Sequence, residues 1–253
     1  MMTSLRTLAL AFLLAVVAAC DSKTSPFQKV DGAWHFNKTA IPDADAATFT
    51  PIDAHYAKDR ARGWYADTYR DGKEYFTIKH DRILVLGAAD AASFHGLGRD
   101  YARDARGVYH EGKPIPVKDP ASFEILDYGF ARDKRAGYCY QTEVAGSDGA
   151  TFAVIDSHYA KDGQGVVYCT VALDGPQGPY VKVKRLPGAL PASFAALDAG
   201  YAKDAGQVYF RDEPVKGADA ASFRTLEKPS EGADAQDAGA RYLEGRALRA
   251  TAP

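Results

Sequence analysis

Apolar and polar positions recur along this chain with a fixed spacing. Ser or Thr followed by Phe occurs at Thr48-Phe49, Ser93-Phe94, Ser122-Phe123, Thr151-Phe152, Ser193-Phe194 and Ser222-Phe223. The steps between these Phe residues are 45, 29, 29, 42 and 29, so the unit is 29 residues and two units carry insertions of 16 and 13. An aliphatic residue stands eight before each Phe (Ile41, Leu86, Ile115, Val144, Leu186, Val215). Another stands three after it (Ile52, Leu97, Leu126, Ile155, Leu197, Leu226). Seven after the Phe, an aromatic (Tyr56, Tyr101, Phe130, Tyr159, Tyr201) opens a run of aromatic, Ala, Lys or Arg, then Asp.

Each position predicts local structure. Asp45, Asp90, Asp119, Asp148 and Asp219 stand four before the Phe, with Leu190 as the exception. An Asp there accepts hydrogen bonds from the free N–H groups of a helical turn, and Pro120 and Pro191 after that position lose nothing. The turn is short, because Pro51 pushes Thr50 toward extended geometry. The residue before the aromatic is His55, Asp100, Gly129, His158 or Gly200, which predicts a left-handed backbone. "YAKD" reads as a short strand ending in a turn, and "GVYHEGKPIPV" as a further strand pair turning at Gly112. The predicted fold is mainly β with short helical turns: a tandem array of about five 29-residue β-meander repeats. A closed, propeller-like ring is the alternative. One unit cannot bury its own aromatics, so each copy is expected to cover the one before it.

The array is expected to start and stop on half units. "WHFNKTAI" (34–41) matches the second half of a unit, and "DAGARYLEGRAL" (237–248) matches "DAGQVYFRDEPV" (204–215). Residues 30–227 are therefore assigned to the repeat domain, and 228–253 to a flexible stretch with a terminal half repeat.

The first 19 residues read as a signal peptide. Arg6 is their only charge, and the apolar run from Leu8 to Ala19 is too short to span a bilayer as an ordinary helix. The run ends Val17-Ala18-Ala19-Cys20, which resembles a bacterial lipobox. That resemblance implies cleavage before Cys20, lipidation of Cys20 and a tether over 20–29. It also makes an inner-membrane location the favoured one, because Asp21 follows the cysteine. Removing residues 1–19 leaves 234 residues with 30 Lys and Arg against 33 Asp and Glu. That balance supports neither a nucleic-acid partner nor a polybasic membrane patch. Cys139 and Cys169 are the remaining cysteines. An exported chain meets an oxidising compartment, so a Cys139–Cys169 disulfide is expected. Both follow a tyrosine, Tyr138 and Tyr168, in adjacent units, which places them on a shared face with a one-residue difference in register.

The pattern resembles the DKNYY repeat family. The residues that carry the resemblance are Tyr201-Ala202-Lys203-Asp204 with Val208-Tyr209, Tyr101-Ala102-Arg103-Asp104 with Val108-Tyr109, and "ADAASF" at 89–94 and 218–223. The family's Asn is missing throughout, and only Lys134 follows its Asp as the family name requires. The resemblance implies a bacterial exported or lipid-anchored protein of the cell envelope, facing the periplasm, and no agreed activity.

Motifs for chemistry are sparse. There is no HExxH, no GxSxG and no paired Cys/His zinc spacing. "GSDGA" and "KDGQG" lack the carboxylate density of an EF-hand, so no metal and no cofactor is assigned. His55 and His158 fall at the turn position. Aromatics in the insertions, Tyr69, Tyr75 and Phe76 in the first and Tyr180 in the second, form the candidate binding set, because insertions in repeat proteins carry contacts. An extra hairpin that merely packs is the competing reading. Three functions remain: an interaction scaffold for an envelope protein or polymer, a structural or envelope-stress accessory without small-molecule binding, and an enzyme on cell-envelope carbohydrate. No motif supports the third.

Overall fold

A computed structural model describes residues 25–72, 76, 78–230 and 232–248. It is mainly β: one three-stranded and six four-stranded antiparallel sheets, each a meander of strands consecutive in the chain. The first sheet comprises Phe27–Val30, Ala33–Phe36 and Thr39–Ala40. The others span residues 50–86, 95–115, 124–143, 153–185, 195–214 and 224–247. Sheets two and five carry long hairpins, Gly63–Tyr69 with His80–Leu86 and Gly165–Ala172 with Tyr180–Arg185. These are the two insertions. Two ordinary sheets follow each, so the array is itself a doubled set of three.

The alternation of a strand gives each sheet two faces. In the third sheet Tyr101 and Val108 face forward, to the next sheet, while Ala102 and Tyr109 face back. Six apolar clusters result, each shared by two consecutive sheets. Every cluster holds one of the repeated Phe residues, and Phe94 and Phe152 are almost wholly buried. Burying such a ring contributes about 1.5–3 kcal/mol, which no unit obtains alone.

Three polar staples join neighbouring parts. The Asp closing each "YAKD" run is buried. Asp133 accepts from the N–H groups of Lys118, Asp119, Arg135 and Ala136 at 2.7–2.9 Å. The Ser or Thr before each Phe accepts an N–H just past that Asp, as Ser122 does from Lys134 at 3.0 Å. The Lys or Arg of each run reaches carbonyls in the next unit: Lys58 bonds to Phe94 at 2.8 Å and Lys203 to Phe223 at 3.0 Å.

Several expectations change. Seven sheets form: the counted units lie between two end segments read as half units, of which the first is a three-stranded sheet and the last a full four-stranded one. The expected tether over 20–29 overlaps the first strand, where Phe27 is buried. The division at 227/228 falls within the strand Arg224–Ser230, and the last sheet is a complete four-stranded meander. No ring closes. The apolar clusters join only consecutive sheets, and the outward faces at the two ends carry polar residues beside the exposed Val30 and Leu243. On the first sheet Gln28 and His35 replace the rear-facing Ala and Tyr. On the last, Asp234, Gln236 and Arg241 stand where the sixth sheet has Tyr201, Lys203 and Val208.

The "DxASF" segments are turns, one of which closes as a 3-10 helix at Pro120–Ser122. The expected acceptor role of the Asp holds at Asp45, Asp148 and Asp219, which take the N–H of Ala47, Ala150 and Ala221 at 3.1–3.2 Å; Asp119 makes no such bond and accepts from the Ser122 hydroxyl at 2.7 Å. A left-handed backbone is found at Asp100, Gly129 and Gly200, but not at His55 or His158. Those two units turn differently. Asp53 accepts from the N–H of His55 and Tyr56 at 2.8 and 2.7 Å, and Asp156 does the same for His158 and Tyr159. This side-chain turn removes the need for positive φ.

Candidate functional site

The long hairpins are built on the repeat but extend past it. In the first, Asp67 and Arg82 face each other across the strands and form a two-pronged ion pair. The Arg82 guanidinium also lies 5.8 Å from the centre of the Tyr65 ring. On the opposite face Asp81 accepts from Asn37 and Thr39 of the first sheet, both at 2.8 Å. In the second hairpin Arg185 grips the buried Asp162 at 2.9 and 3.1 Å. Val167 occupies the position of Tyr138 in that unit, so Arg185 supplies the partner that the tyrosine hydroxyl supplies elsewhere. Lys182 and Lys184 approach Asp212 of the following sheet at 2.8 and 3.4 Å, and Lys184 also pairs with Glu213. Both hairpins are thus tied to neighbouring sheets along their paired strands.

Farther along the hairpins, apolar side chains face solvent. Tyr69, Phe76 and Ile78 are exposed on the first, Phe76 at 92%. Val171, Leu173 and Tyr180 are exposed on the second, Leu173 at 78%. Of the twelve large apolar side chains exposed among the described residues, seven belong to the hairpins or their connecting turns, so the exposed apolar surface concentrates there. Tyr75 lies outside the described residues, as do Cys20 and Asp21. Tyr69 and Tyr180 do not share a site. Tyr69 borders a cleft with Lys38, Thr39 and Lys79, whereas Tyr180 borders another with Tyr168, Lys182 and Arg211.

Cys139 and Cys169 are joined by a disulfide with Cα atoms 6.5 Å apart. Their geometry differs from the shared-face reading. Cys139 is on the forward face of the fourth sheet and Cys169 on the rear face of the fifth, so the two oppose each other across one apolar cluster. The one-residue register difference produces this, because it reverses the side to which a strand residue points.

The ionisable groups show how the fold holds charge. Burial pushes Asp212 up, but its bonds to Lys182 and Lys184 outweigh it and hold the carboxyl below the ordinary value. Burial likewise pushes Asp133 up, and the Tyr138 hydroxyl with the surrounding N–H groups brings it below. Burial is also the leading cause that raises Tyr168. Every carboxyl with a resolved shift is lowered, which suits acceptors kept ionised as staples. Among the described residues no group of three or more His, Cys, Asp or Glu is arranged to hold a metal.

Sequence reasoning missed Lys182, Arg211 and Asp212. They belong to different units, and only the overhang of the second hairpin brings them together. Comparison with family models, curated proteins and solved structures finds no match.

Proposed function

We propose that this chain is a lipid-anchored scaffold of the bacterial cell envelope, similar to DKNYY repeat proteins, that engages an envelope protein or polymer through its two long hairpins. The observation behind this reading is the concentration of exposed apolar side chains on those hairpins, while the rest of the array buries its repeated aromatics. Exposed apolar side chains gathered on protruding elements favour contact with a partner. Cys20 holds the lipid, and the array projects from the membrane as a stack of sheets. The second reading, a structural accessory that binds nothing small, draws on the ties that Asp81 and Lys182 make from the hairpins to neighbouring sheets.

A photo-crosslinking amino acid placed at Phe76 or Leu173 in the envelope tests the first reading against Val30 and Leu190, which are exposed but lie outside the hairpins. Adducts confined to Phe76 and Leu173 are expected. Adducts of equal yield at all four positions, or at none, defeat the reading.

A further inference from the structure

The two long-hairpin units provide an internal comparison. They match position for position: Tyr65 with Tyr168, Asp67 with Thr170, Arg82 with Lys182, and His80 with Tyr180. A histidine stacks on the tyrosine in both, His55 on Tyr65 and His158 on Tyr168, with ring centres 5.8 Å apart. The sheet that follows supplies Glu111 and Gly112 in one case and Arg211 and Asp212 in the other.

The charges differ. In the first unit the hairpin cation, Arg82, is neutralised within its own hairpin by Asp67. In the second Thr170 has taken the place of that Asp, so Lys182 turns to Asp212 on the next sheet. Lys184 binds the same carboxylate and Glu213. The acids are thereby consumed by the lysines. Arg211 stands where the other copy has Glu111; among the described residues it joins no ion pair, and its guanidinium lies 5.1 Å from the ring centre of Phe210, at the border between this surface and the neighbouring cleft of Phe210 and Gly245. A cleft of 420 Å³ opens here, lined by Tyr168, Thr170, Asp174, Tyr180, Lys182 and Arg211 among others.

We propose that this cleft binds a carboxylate-bearing saccharide, with the carboxylate on Arg211 and a sugar ring against Tyr180. A guanidinium matches a planar carboxylate with two parallel N–H donors. The half-exposed Tyr180 ring presents a flat apolar face with a polar edge, suited to the C–H face of a pyranose. Thr170 and the Tyr168 side of the wall add hydroxyl-bearing surface for sugar hydroxyls. Asp174 opposes an anion and keeps the affinity modest. The inference deepens the reading of the hairpins as contact surfaces by naming a ligand for one of them.

Calorimetric titration of the purified chain with oligogalacturonate tests it, beside the neutral oligogalactoside and inorganic phosphate. Oligogalacturonate should bind and the neutral sugar should not. Arg211→Gln should weaken binding at least tenfold, Tyr180→Ala severalfold, and Asp174→Asn should tighten it. Arg211 is exposed, so unchanged melting of Arg211→Gln is the expected folding control; Arg211→Lys, which keeps charge without the fork, should bind with intermediate affinity. Absence of binding by the wild type, or equal affinity in Arg211→Gln, overturns the proposal. So does phosphate binding as tightly as the saccharide with no effect of Tyr180→Ala, which would mark a bare anion site. The titration needs no envelope. If it fails while crosslinks at Phe76 and Leu173 persist, only this inference falls.

Discussion

The Tyr138 hydroxyl donates to Asp133 Oδ2 at 2.6 Å, and the same oxygen accepts from the N–H groups of Lys118 and Asp119. The other carboxylate oxygen accepts from Arg135 and Ala136. One buried charge thus closes a turn, anchors the preceding segment and orients a core tyrosine. The pairing recurs as Asp104 with Tyr109, Asp204 with Tyr209 and Asp237 with Tyr242.

Asp133→Ala should therefore destabilise by about 3 kcal/mol or more, since several buried donors lose an ionised acceptor together. Tyr138→Phe should cost about 1 kcal/mol, one hydrogen bond being lost while the ring stays packed. Urea unfolding of the two variants measures the difference. Equal losses would show that the carboxylate serves the tyrosine alone.

Asp133 and Asp237, with other carboxyls lowered by the fold, set the response to acid. Burial pushes Asp237 up, but the Asp219 N–H, the Tyr242 hydroxyl and the N–H groups of Gly239 and Ala240 outweigh it and hold it at about 2. Asp133, Asp162 and Asp212 are also lowered. A carboxyl lowered by folding contributes stability above its unfolded pKa of roughly 4. That contribution is lost as pH falls through the folded value. The urea midpoint should hold down to about pH 4 and then drop toward pH 2. The tyrosines act at the other end. Burial, then the neighbouring Asp, raises Tyr109, Tyr209 and Tyr242 to about 12. Their contribution is present below roughly pH 10 and is lost as pH rises through 12. A midpoint flat from pH 4 to 2 would contradict the acid half of the prediction.

Much of this fold was legible because a repeat exposes its own rules. Phe123 announces itself by recurring, and the recurrence predicts that neighbours cover one another. The Asp133–Tyr138 spacing recurs just as plainly, but only burial reveals that the two side chains meet. The turns before Tyr56 and Tyr159 were misread, because Asp53 and Asp156 make a side-chain turn where other copies use positive φ. Only the second half of the first sheet was legible, at residues 34–41; its strand Phe27–Val30 has no repeated Asp or Ala to mark it and fell to the expected tether. Arg211 was beyond reach: its meaning depends on Lys182 having turned to Asp212, a contact between units that no spacing encodes.

Packing across a seam gives a third test. Phe123→Ala, at a buried site, should cost about 3–5 kcal/mol. Gly137→Ala should be as damaging despite adding one carbon, because its Cβ would come within 2.3 Å of the Phe152 ring of the next unit. Gly129→Ala should also destabilise, through its φ of 81° and a clash with the Tyr140 ring. Thermal melts that match the wild type for Phe123→Ala and Gly137→Ala would refute the assignment of faces.

The Cys139–Cys169 bridge crosses the seam between the fourth and fifth sheets and closes a loop with a sequence separation of 30. The chain-entropy model values such a link at roughly 3–4 kcal/mol. Replacing both cysteines with Ala should lower stability by about that amount and leave the other seams intact. Hydrogen exchange should then report faster opening at Phe130 and Val167 than at Val208. A non-reduced digest containing both cysteines as free thiols would remove the basis of the prediction.

The end of the array is the last test. In the sixth sheet Tyr201, Lys203 and Val208 face forward and receive the seventh. The seventh has Asp234, Gln236 and Arg241 at those positions, and Asp234 accepts from the Tyr201 hydroxyl at 2.7 Å. Gln236 and Arg241 cap a surface that would otherwise offer another unit a place to stack, while the Asp234 carboxylate is held at its edge by Tyr201 and the Glu244 N–H. Restoring the internal pattern with Asp234→Tyr, Gln236→Lys and Arg241→Val should expose an apolar face and drive association between such ends. The first sheet's outward Gln28 and His35 disfavour head-to-tail growth, so pairs of chains rather than filaments are expected. Sedimentation velocity should show a concentration-dependent dimer for the triple variant and not for the wild type. If the variant folds and remains monomeric, polarity at Asp234, Gln236 and Arg241 is not what ends the array.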